Sequence, residues 1–348
     1  MMNCILENRM IEEITRHFTK SPYRINSIHE TDAELIDLGK TNTNYLAITT
    51  DALVEEVASG MYDDPYLIGW MLATVNFSDL AAVGARPMGI MVSINHPSSK
   101  SEEFITGIAT GINDACKEVN AFVLGGDTNQ GNELFLSGCA IGLVPKSSVL
   151  TRVGANPHDK IYLTGPAGLG SVFAYLQLTK KKAEAKGLSF QPTARIKEGE
   201  IIRKYGNACM DTSDGVFHTV DTMMRINKCR FILNNNWEDI LHPTTFHVFK
   251  NLEIPPWCAL TGVHGEFELC FTVSPEREEQ LLAEASNIGW HPILIGEVSH
   301  GVGVCIRNGK KMKFVDTAVV RNFADMAGSE PDQYIQNLIH FVLNAGIE

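Results

Sequence analysis

The chain has 348 residues, enough for two domains that each have a core of their own. Apolar residues make up 44% and charged residues 20%, an ordinary globular composition, and no apolar run is long enough to span a membrane. The net charge of -12 argues against nucleic-acid binding, which needs a basic surface, although metal ions would let an acidic protein bind phosphates.

Cysteine usage and the N-terminal segment bear on the compartment. The eight cysteines are dispersed and form no CxxC pair, so the sequence favours neither a zinc site nor a redox motif. The first segment, MMNCILENRMIEEITRHF, carries acids early and lacks the layout of a signal peptide. We therefore expect a cytoplasmic protein with reduced thiols.

Strand-like and helix-like segments alternate along the chain. The predicted strands are Tyr45–Thr50, Gly89–Ile94, Ala121–Leu124, Leu134–Val144, Lys160–Thr164, Phe267–Val273 and Pro292–Val298. The predicted helices are Pro65–Val83, Glu102–Val119, Ser171–Ala183, Ala194–Tyr205 and Pro275–Ile288. A polar connector at 145–158 places a domain boundary near residue 150, which gives domains 1–150 and 151–348. The pattern is compatible with an α/β or an α+β class.

Aspartates follow several of the apolar segments. Asp51 follows YLAITT, Asp127 follows AFVLGG, and Asp211 and Asp214 follow NACM. A carboxylate at a strand end can project into a crevice where loops gather. Taken singly, each of these residues is better explained as a cap or a turn residue. Together they fit magnesium, which uses a few carboxylates plus phosphates and water.

Asp79 is unusual because of its place on the helix Pro65–Val83. Its apolar stripe runs Ile68, Leu72 and Val75, and the next step of four residues reaches Asp79. A carboxylate on that buried face needs compensation, since an unpaired buried charge is costly. A buried arginine or a metal ion would provide it.

Common nucleotide motifs do not match. The tripeptide Gly39-Lys40-Thr41 resembles the end of a phosphate loop, but Glu34 stands where the first glycine is required. The run GPAGLG at 165–170 follows a strand and opens a helix without dinucleotide-binding spacing. Its amides could receive a phosphate, and a plain tight turn explains it equally well.

Six segments in order resemble the thiamine-monophosphate kinases of the aminoimidazole-ribonucleotide synthetase (PurM-like) superfamily. They are ITTDALVEE, GWMLATVNFSDLAAVGARP, VLGGDTNQG, LTRVGANPHDKIYLTG, PTARIKEGEIIRKYGNACMDTSDG and FELCFTV. The resemblance runs from Asp32 to Val298. It implies a PurM-like two-domain fold, α/β plus α+β, whose N-terminal domain forms a barrel with its twin in a homodimer. It also implies direct transfer of the ATP γ-phosphoryl group to thiamine monophosphate.

The resemblance also implies roles for single residues. Magnesium ligands are expected at Asp32, Asp51, Asp79, Asp127, Asp211 and Asp214, with Thr50 beside the metals. Nucleotide contacts are expected at Gly126, Asp127, Arg152 and Ser213, with catalytic roles for Asp127, Asp214 and Arg152. These roles suit phosphoryl transfer, which depends on positioning and charge neutralisation.

Three departures fall in the metal and acceptor regions. The GDD motif of the family is here Glu30-Thr31-Asp32, and Ala58 stands where a substrate-contacting histidine is expected. In the family's GGEDYEL, an acceptor-binding glutamate stands where this chain has Gly265, beside Glu266 and His264. Substitution by His264 or Glu266 would preserve acceptor binding. Otherwise we expect weak turnover beside intact ATP binding.

Three functional hypotheses therefore remain. The chain is a thiamine-monophosphate kinase with an altered acceptor pocket, or a related ATP-dependent enzyme with another small-molecule acceptor, or a nucleotide-binding homologue without turnover. All three involve ATP with Mg²⁺, a homodimer, and neither nucleic acid nor membrane as partner. A phosphate-bearing small molecule is the expected acceptor under the first.

Overall fold

The computed structural model describes residues 5–179, 188–262, 264–327 and 330–347. Its α-helices are α1 (Leu6–Thr15), α2 (Glu55–Ala58), α3 (Pro65–Ala82), α4 (Glu102–Glu118), α5 (Leu169–Leu178), α6 (Ile196–Tyr205), α7 (Val216–Asn227), α8 (Trp237–Ile240), α9 (Pro243–Asn251), α10 (Pro275–Asn287), α11 (Thr317–Ala327) and α12 (Pro331–Ala345), with a 3₁₀ helix at Pro256–Leu260. Its strands are β1 (Glu34–Ile36), β2 (Asn44–Leu53), β3 (Arg86–Pro97), β4 (Phe122–Gly131), β5 (Phe135–Pro145), β6 (Lys160–Leu163), β7 (Gly206–Asp211), β8 (Arg230–Asn234), β9 (Leu269–Val273), β10 (Ile293–Ser299), β11 (Gly303–Asn308) and β12 (Lys311–Val315).

The strands form two sheets. The first has the order β1-β2-β5-β3-β4 and is antiparallel except for the β3–β4 pair. The second has the order β12-β11-β8-β10-β6-β9-β7, with β11 and β8 parallel. Strands before residue 150 build the first sheet and strands after it build the second. The mixture of α/β and α+β character predicted from the sequence is confirmed.

Helix α3 lies at the centre of the molecule. It contacts α4, β2, β5, α6 and β7, so neighbours surround it on every side. All residues from Ile68 to Ala82 are buried except Asp79. The predicted stripe of Ile68, Leu72 and Val75 is buried as expected, but burial extends to the other faces of the helix as well, because the helix packs against both sheets and two helices. Asp79 is the position in that stretch that keeps some exposure, and it opens toward the second sheet.

Strand β4 leaves one edge of the first sheet open. Its residues from Phe122 to Gln130 are all exposed, and the side chain of Phe122 keeps 71% of its accessible surface. The register places Phe122 beside Gly89 and Leu124 beside the bulge at Ile90 and Met91. Ile90 is buried against α3, so Met91 and Phe122 project from the opposite face, here called the outer face of the first sheet.

Every predicted strand and helix is present, with shifted ends. The prediction placed Asp51 and Asp127 after strands, but both lie inside them, because β2 and β4 extend beyond their apolar segments. Asp211 does end β7. The predicted helix Ser171–Ala183 begins earlier, at Leu169, and its residues 180–183 lie outside the described part of the chain. Within the described ranges, no helix is long and apolar enough to cross a membrane.

Candidate active site at an aspartate triad

Three aspartates from distant parts of the chain meet at one point. Asp32 precedes β1, Asp79 lies in the last turn of α3, and Asp211 ends β7. One carboxylate oxygen from each lies within 4.8 Å of the others. The contact between α3 and the second sheet thus brings together carboxylates from the segment before β1, from α3 and from β7.

Hydroxyl groups donate hydrogen bonds to two of the three aspartates of the triad. Thr49 on β2 donates a hydrogen bond to Asp79. Asp211 accepts hydrogen bonds from Ser78 at 2.7 Å and from Ser213 at 3.1 Å. These donors hold the carboxylates in fixed orientations without cancelling their charge.

Arg152 is the cation of the site. Its guanidinium donates to Asp32 across 2.9 Å, and the two side chains keep only 17% and 1% of their accessible surface. Burial opposes the charged form, yet the charge of Asp32 and its hydrogen bond hold the pKa of Arg152 above its ordinary value. One cation therefore faces three carboxylates, and the second oxygen of Asp32 is buried without a hydrogen-bond partner.

The excess negative charge shifts the acid–base behaviour of the other two aspartates. Burial and the charge of Asp32 raise the pKa of Asp211 to about 7. Burial, together with the charges of Asp211 and Asp32, raises the pKa of Asp79 well above its ordinary value. A site that resists ionisation this strongly fits a divalent cation, which would compensate all three carboxylates and the unpartnered oxygen of Asp32.

Asp51 and Asp214 lie near the triad. Burial raises the pKa of Asp51, and the charge of Asp214 raises it further. Asp214 also lies 3.5 Å from the imidazole of His218. The hydroxyl of Thr50 donates to the carbonyl of Gly138 on β5 instead of turning to the triad. Because strand residues alternate, Thr49 and Asp51 share the face that Thr50 does not.

Asp127 lies on a different surface from the triad. In the parallel pair β3–β4 it is in register with Ser93, two residues after Met91, and so it projects from the outer face. Its carboxylate accepts a hydrogen bond from Asn129 at 2.6 Å. The neighbouring Gly126 allows close strand pairing, since an added Cβ there would lie 2.1 Å from the Val92 carbonyl oxygen.

The two predicted substitutes for the acceptor contact are both engaged inside the protein. His264 shares a hydrogen bond of 2.7 Å with the hydroxyl of Tyr62 and one of 3.2 Å with its neighbour's carbonyl. Burial lowers the pKa of His264 to about 4, so it is neutral. Glu266 accepts from the amide of Gly168 at 2.6 Å and from Thr212 at 3.3 Å. Burial raises the pKa of Glu266 to about 8.

At Gly265, where the resemblance places an acceptor-binding glutamate, the loop packs closely against the segment that follows Asp211. Its amide donates to the carbonyl of Ser213, which ties the loop to the segment after Asp211. An added Cβ at Gly265 would lie 1.5 Å from the carbonyl oxygen of Thr212. No side chain fits there without a shift of the backbone, so the glutamate of the resemblance cannot be accommodated. Val263, just before this loop, lies outside the described residues.

Ala58 lies at the mouth of a cleft between α2 and the second half of the chain. The cleft has a volume of about 700 Å³, and α5, the 3₁₀ helix and α12 form its other walls. His264 also lines it. The cleft is thus bordered by the departure at Ala58 and by the residue next to Gly265.

Two contacts of the triad were not predicted from the sequence. Each directly precedes a residue that was singled out: Thr49 precedes Thr50, and Ser78 precedes Asp79. The period-two alternation of β2 would have assigned Thr49 to the face of Asp51. The contact of Ser78 with Asp211 depends on how α3 meets β7, for which the sequence carries no local signal.

Comparison with known proteins identifies the family. The family described as "AIR synthase related protein, N-terminal domain" matches residues 30–144. The thiamine-monophosphate kinase of Pyrococcus horikoshii is 32% identical over 78% of this chain and 84% of its own length. That of Pyrococcus abyssi is 30% identical over 79% and 84%. The chain belongs to the thiamine-monophosphate kinase family.

A solved structure has a similar fold over most of the chain. The thiamine-monophosphate kinase AaThiL, complexed with AMPPCP and TMP, superposes with a TM-score of 0.72 and covers 88% of this chain and 96% of its own. Its sequence identity is 23%, so it speaks for the fold alone. The PurM-like fold expected from the sequence is confirmed for this member of the thiamine-monophosphate kinase family.

The triad predicts an unusual dependence of stability on pH. The folded protein holds protons on Asp79 and Asp211 that the unfolded chain releases near its ordinary carboxyl pKa of 3.8. Without Mg²⁺, this contribution to stability is present at low pH and is lost as the pH rises through about 7. Urea denaturation in a chelator should show a smaller fall in stability with pH for Asp79→Asn than for the wild type. An equal fall in both proteins would contradict the assigned coupling.

Gly265 predicts a steric cost. Gly265→Glu should lower the free energy of unfolding by about 2–4 kcal/mol, because the new Cβ meets a backbone carbonyl. Gly39→Glu is the control, since its Cβ meets nothing within 4 Å and it pays only for a positive φ, about 1 kcal/mol. Urea denaturation measures both. Equal stability losses would show that the loop at Gly265 readily moves.

Proposed function

We propose that this protein is an ATP- and Mg²⁺-dependent kinase that transfers the γ-phosphoryl group of ATP to thiamine monophosphate and forms thiamine diphosphate and ADP. The observation that carries this proposal is the triad of Asp32, Asp79 and Asp211, whose carboxylates lie close together and are short of positive charge. Membership of the thiamine-monophosphate kinase family supplies the reaction.

The triad, with Asp51 and Asp214 beside it, would hold Mg²⁺. When bound, the metal supplies positive charge to offset the charge that develops between two anionic substrates. The carboxylates need such a cation for their own stability, since Arg152 compensates only part of their charge. Because the carboxylates and the substrate phosphates both require positive charge, nucleotide binding would depend on metal binding.

The residues around the triad would orient the nucleotide. Arg152 presents a planar fork of donors, which suits a phosphate as well as the carboxylate of Asp32. Ser213 would position a phosphate from the start of the turn after β7, and Gly126 would let the nucleotide approach the backbone of β4. Direct in-line transfer needs this positioning and no covalent intermediate.

The acceptor region leaves room for an alternative. Ala58 removes an imidazole, and His264 and Glu266 are already hydrogen-bonded to Tyr62 and to the amide of Gly168. These observations favour slow transfer to thiamine monophosphate, or another small-molecule acceptor in an ATP-dependent reaction of the same kind. A nucleotide-binding protein without turnover would share the triad but form no product.

The outer face of the first sheet would pair two copies of the chain. Phe122, Leu124 and Met91 expose an apolar surface beside an unpaired strand edge, which a second copy would cover. The domain 1–150 would then be the dimerisation domain, and domain 151–348 would close over the nucleotide. Asp127 lies on the same outer face, so its nucleotide role would be exercised at the subunit interface.

The described thiols support the proposed compartment. Seven described cysteines are free, and most of them are buried. Burial raises the pKa of Cys270 to about 12, so its thiol stays protonated and unreactive. We propose a cytoplasmic location on this ground.

The reaction is tested by product formation. Chromatography should detect thiamine diphosphate when the protein is incubated with thiamine monophosphate, ATP and Mg²⁺. Asp211→Asn should lower kcat by about 100-fold or more, because it removes a charge from the site where phosphates meet. Asp64→Asn is the control, since asparagine caps a helix as well as aspartate does. Nucleotide binding in calorimetry without any thiamine diphosphate would refute this acceptor and favour the alternatives.

The dimer is tested by light scattering. The wild type should have twice the chain mass of 38.3 kDa at micromolar concentration. Charges introduced by Phe122→Glu and Leu124→Glu together should give a monomer, because the outer face would become too costly to bury. Met10→Glu, at an equally exposed apolar position on α1, should leave the dimer intact. A monomeric wild type would contradict the proposal.

A further inference from the structure

Arg321 on α11 is a buried arginine that joins three helices. Its side chain keeps only 4% of its accessible surface. Its Nη1 donates to Asp221 at 3.1 Å and to Thr222 at 3.0 Å, both on α7. Its Nη2 lies 2.8 Å from Nε2 of His218, also on α7, and 3.3 Å from the carboxylate of Glu7 on α1. One guanidinium therefore ties α11 and α1 to a single face of α7.

The contact with His218 brings this guanidinium close to the candidate active site. A guanidinium nitrogen can only donate, so Nε2 of His218 accepts and the ring proton lies on Nδ1. The carboxylate of Asp214 lies 3.5 Å from the same Nε2. A single imidazole nitrogen thus stands between the positive charge of Arg321 and the negative charge of Asp214.

Asp214 is repelled by the carboxylates on its other side. Burial is the main cause that raises the pKa of Asp51 and of Asp211, and the charge of Asp214 adds to both shifts. Asp214 keeps 47% of its accessible surface, so repulsion would tend to turn it toward solvent. Arg152 is engaged with Asp32. The positive charge that can hold Asp214 back is therefore that of Arg321.

The backbone gives Arg321 a second way to act on Asp214. Gly215 follows Asp214 directly, has a φ of 82°, and leads into α7, which begins at Val216. His218 and Asp221, which Arg321 contacts, lie in the first two turns of that helix. A helix that is fixed in rotation by these contacts also fixes the turn from which Asp214 projects.

We propose that Arg321 is a positioning residue of the metal site, which acts through His218 and the start of α7 to hold Asp214 beside Asp51 and the triad. The inference rests on the proposed function in one respect, that Asp214 contributes to metal binding. Glu7 and Arg321 both lie outside the span of the family resemblance, Asp32 to Val298. The two ends of this chain would therefore set the geometry of the site.

A thermodynamic cycle in metal binding tests this role apart from catalysis. Mn²⁺ is titrated without nucleotide, and the free ion is counted by its electron paramagnetic resonance signal. Asp214→Asn should weaken Mn²⁺ binding about tenfold in the wild type but only about twofold in an Arg321→Gln background, because Asp214 is no longer held at the metal there. The direct effect of the Arg321 charge on the metal is the same in both backgrounds and cancels from the comparison.

Arg225→Gln is the matched control. Arg225 also donates to Asp221, at 2.7 Å, but it lies further along α7 from Asp214. Its loss removes a cation from the same carboxylate, and the effect of Asp214→Asn should stay about tenfold. Arg321→Lys is the second variant in case Arg321→Gln does not fold. It keeps the charge, but one ammonium cannot replace the two ends of the fork, so it should also diminish the effect of Asp214→Asn.

The outcomes separate this inference from the proposed function. The inference would be overturned if Asp214→Asn had the same effect with and without Arg321, or no effect in the wild type. It would also be overturned if Arg225→Gln diminished that effect as much, since the network would then act only on stability. Thiamine diphosphate formation beside any of these results would leave the kinase activity standing. A wild type that binds no Mn²⁺ would refute the metal site and the inference together.

Discussion

The mutual repulsion of three closely spaced carboxylates is the constraint on which the rest of the site depends. Carboxylate oxygens of Asp32, Asp79 and Asp211 come within 4.8 Å of one another, and among the described residues the guanidinium of Arg152 is the cation paired with them. Such an arrangement persists only if the surrounding fold holds it in place. The central helix α3 does so, because it is packed on all sides and cannot turn Asp79 away from the site.

The excess negative charge also explains why hydroxyl groups and metal ions would have different roles in the site. Hydroxyls of Thr49, Ser78 and Ser213 orient the carboxylates, while metal ions would provide the positive charge that the protein withholds. A fully neutralised site would have little affinity for a cation. The repulsion between the carboxylates destabilises the metal-free site, and the same excess negative charge would allow it to bind metal and, through the metal, phosphate.

The acceptor end follows a different principle. There the loop through Gly265 is pressed against Thr212, and His264 and Glu266 are part of the internal hydrogen-bond network. These side chains stabilise the loop, so they cannot also serve a ligand at no cost. Residues of α2 and α12 line a cleft beside this loop. Family membership fixes the phosphate chemistry, and this chain's own loop and helices shape the pocket.

The sequence alone determined the alternation of strands and helices, the family and the aspartates that matter, because these depend on local periodicity and on motifs of short span. Asp79 was singled out for the right reason, an uncompensated charge, although its helix proved to be buried on every side. The tertiary structure decided which aspartates meet: Asp32, Asp79 and Asp211 converge, whereas Asp127 projects from the outer face. It also decided that Arg152 pairs with Asp32, that Thr49 rather than Thr50 touches the triad, and that no side chain fits at Gly265. Each of these facts depends on the packing of residues 30 or more positions apart in the chain or on the register of a strand, and no local stretch of sequence specifies either.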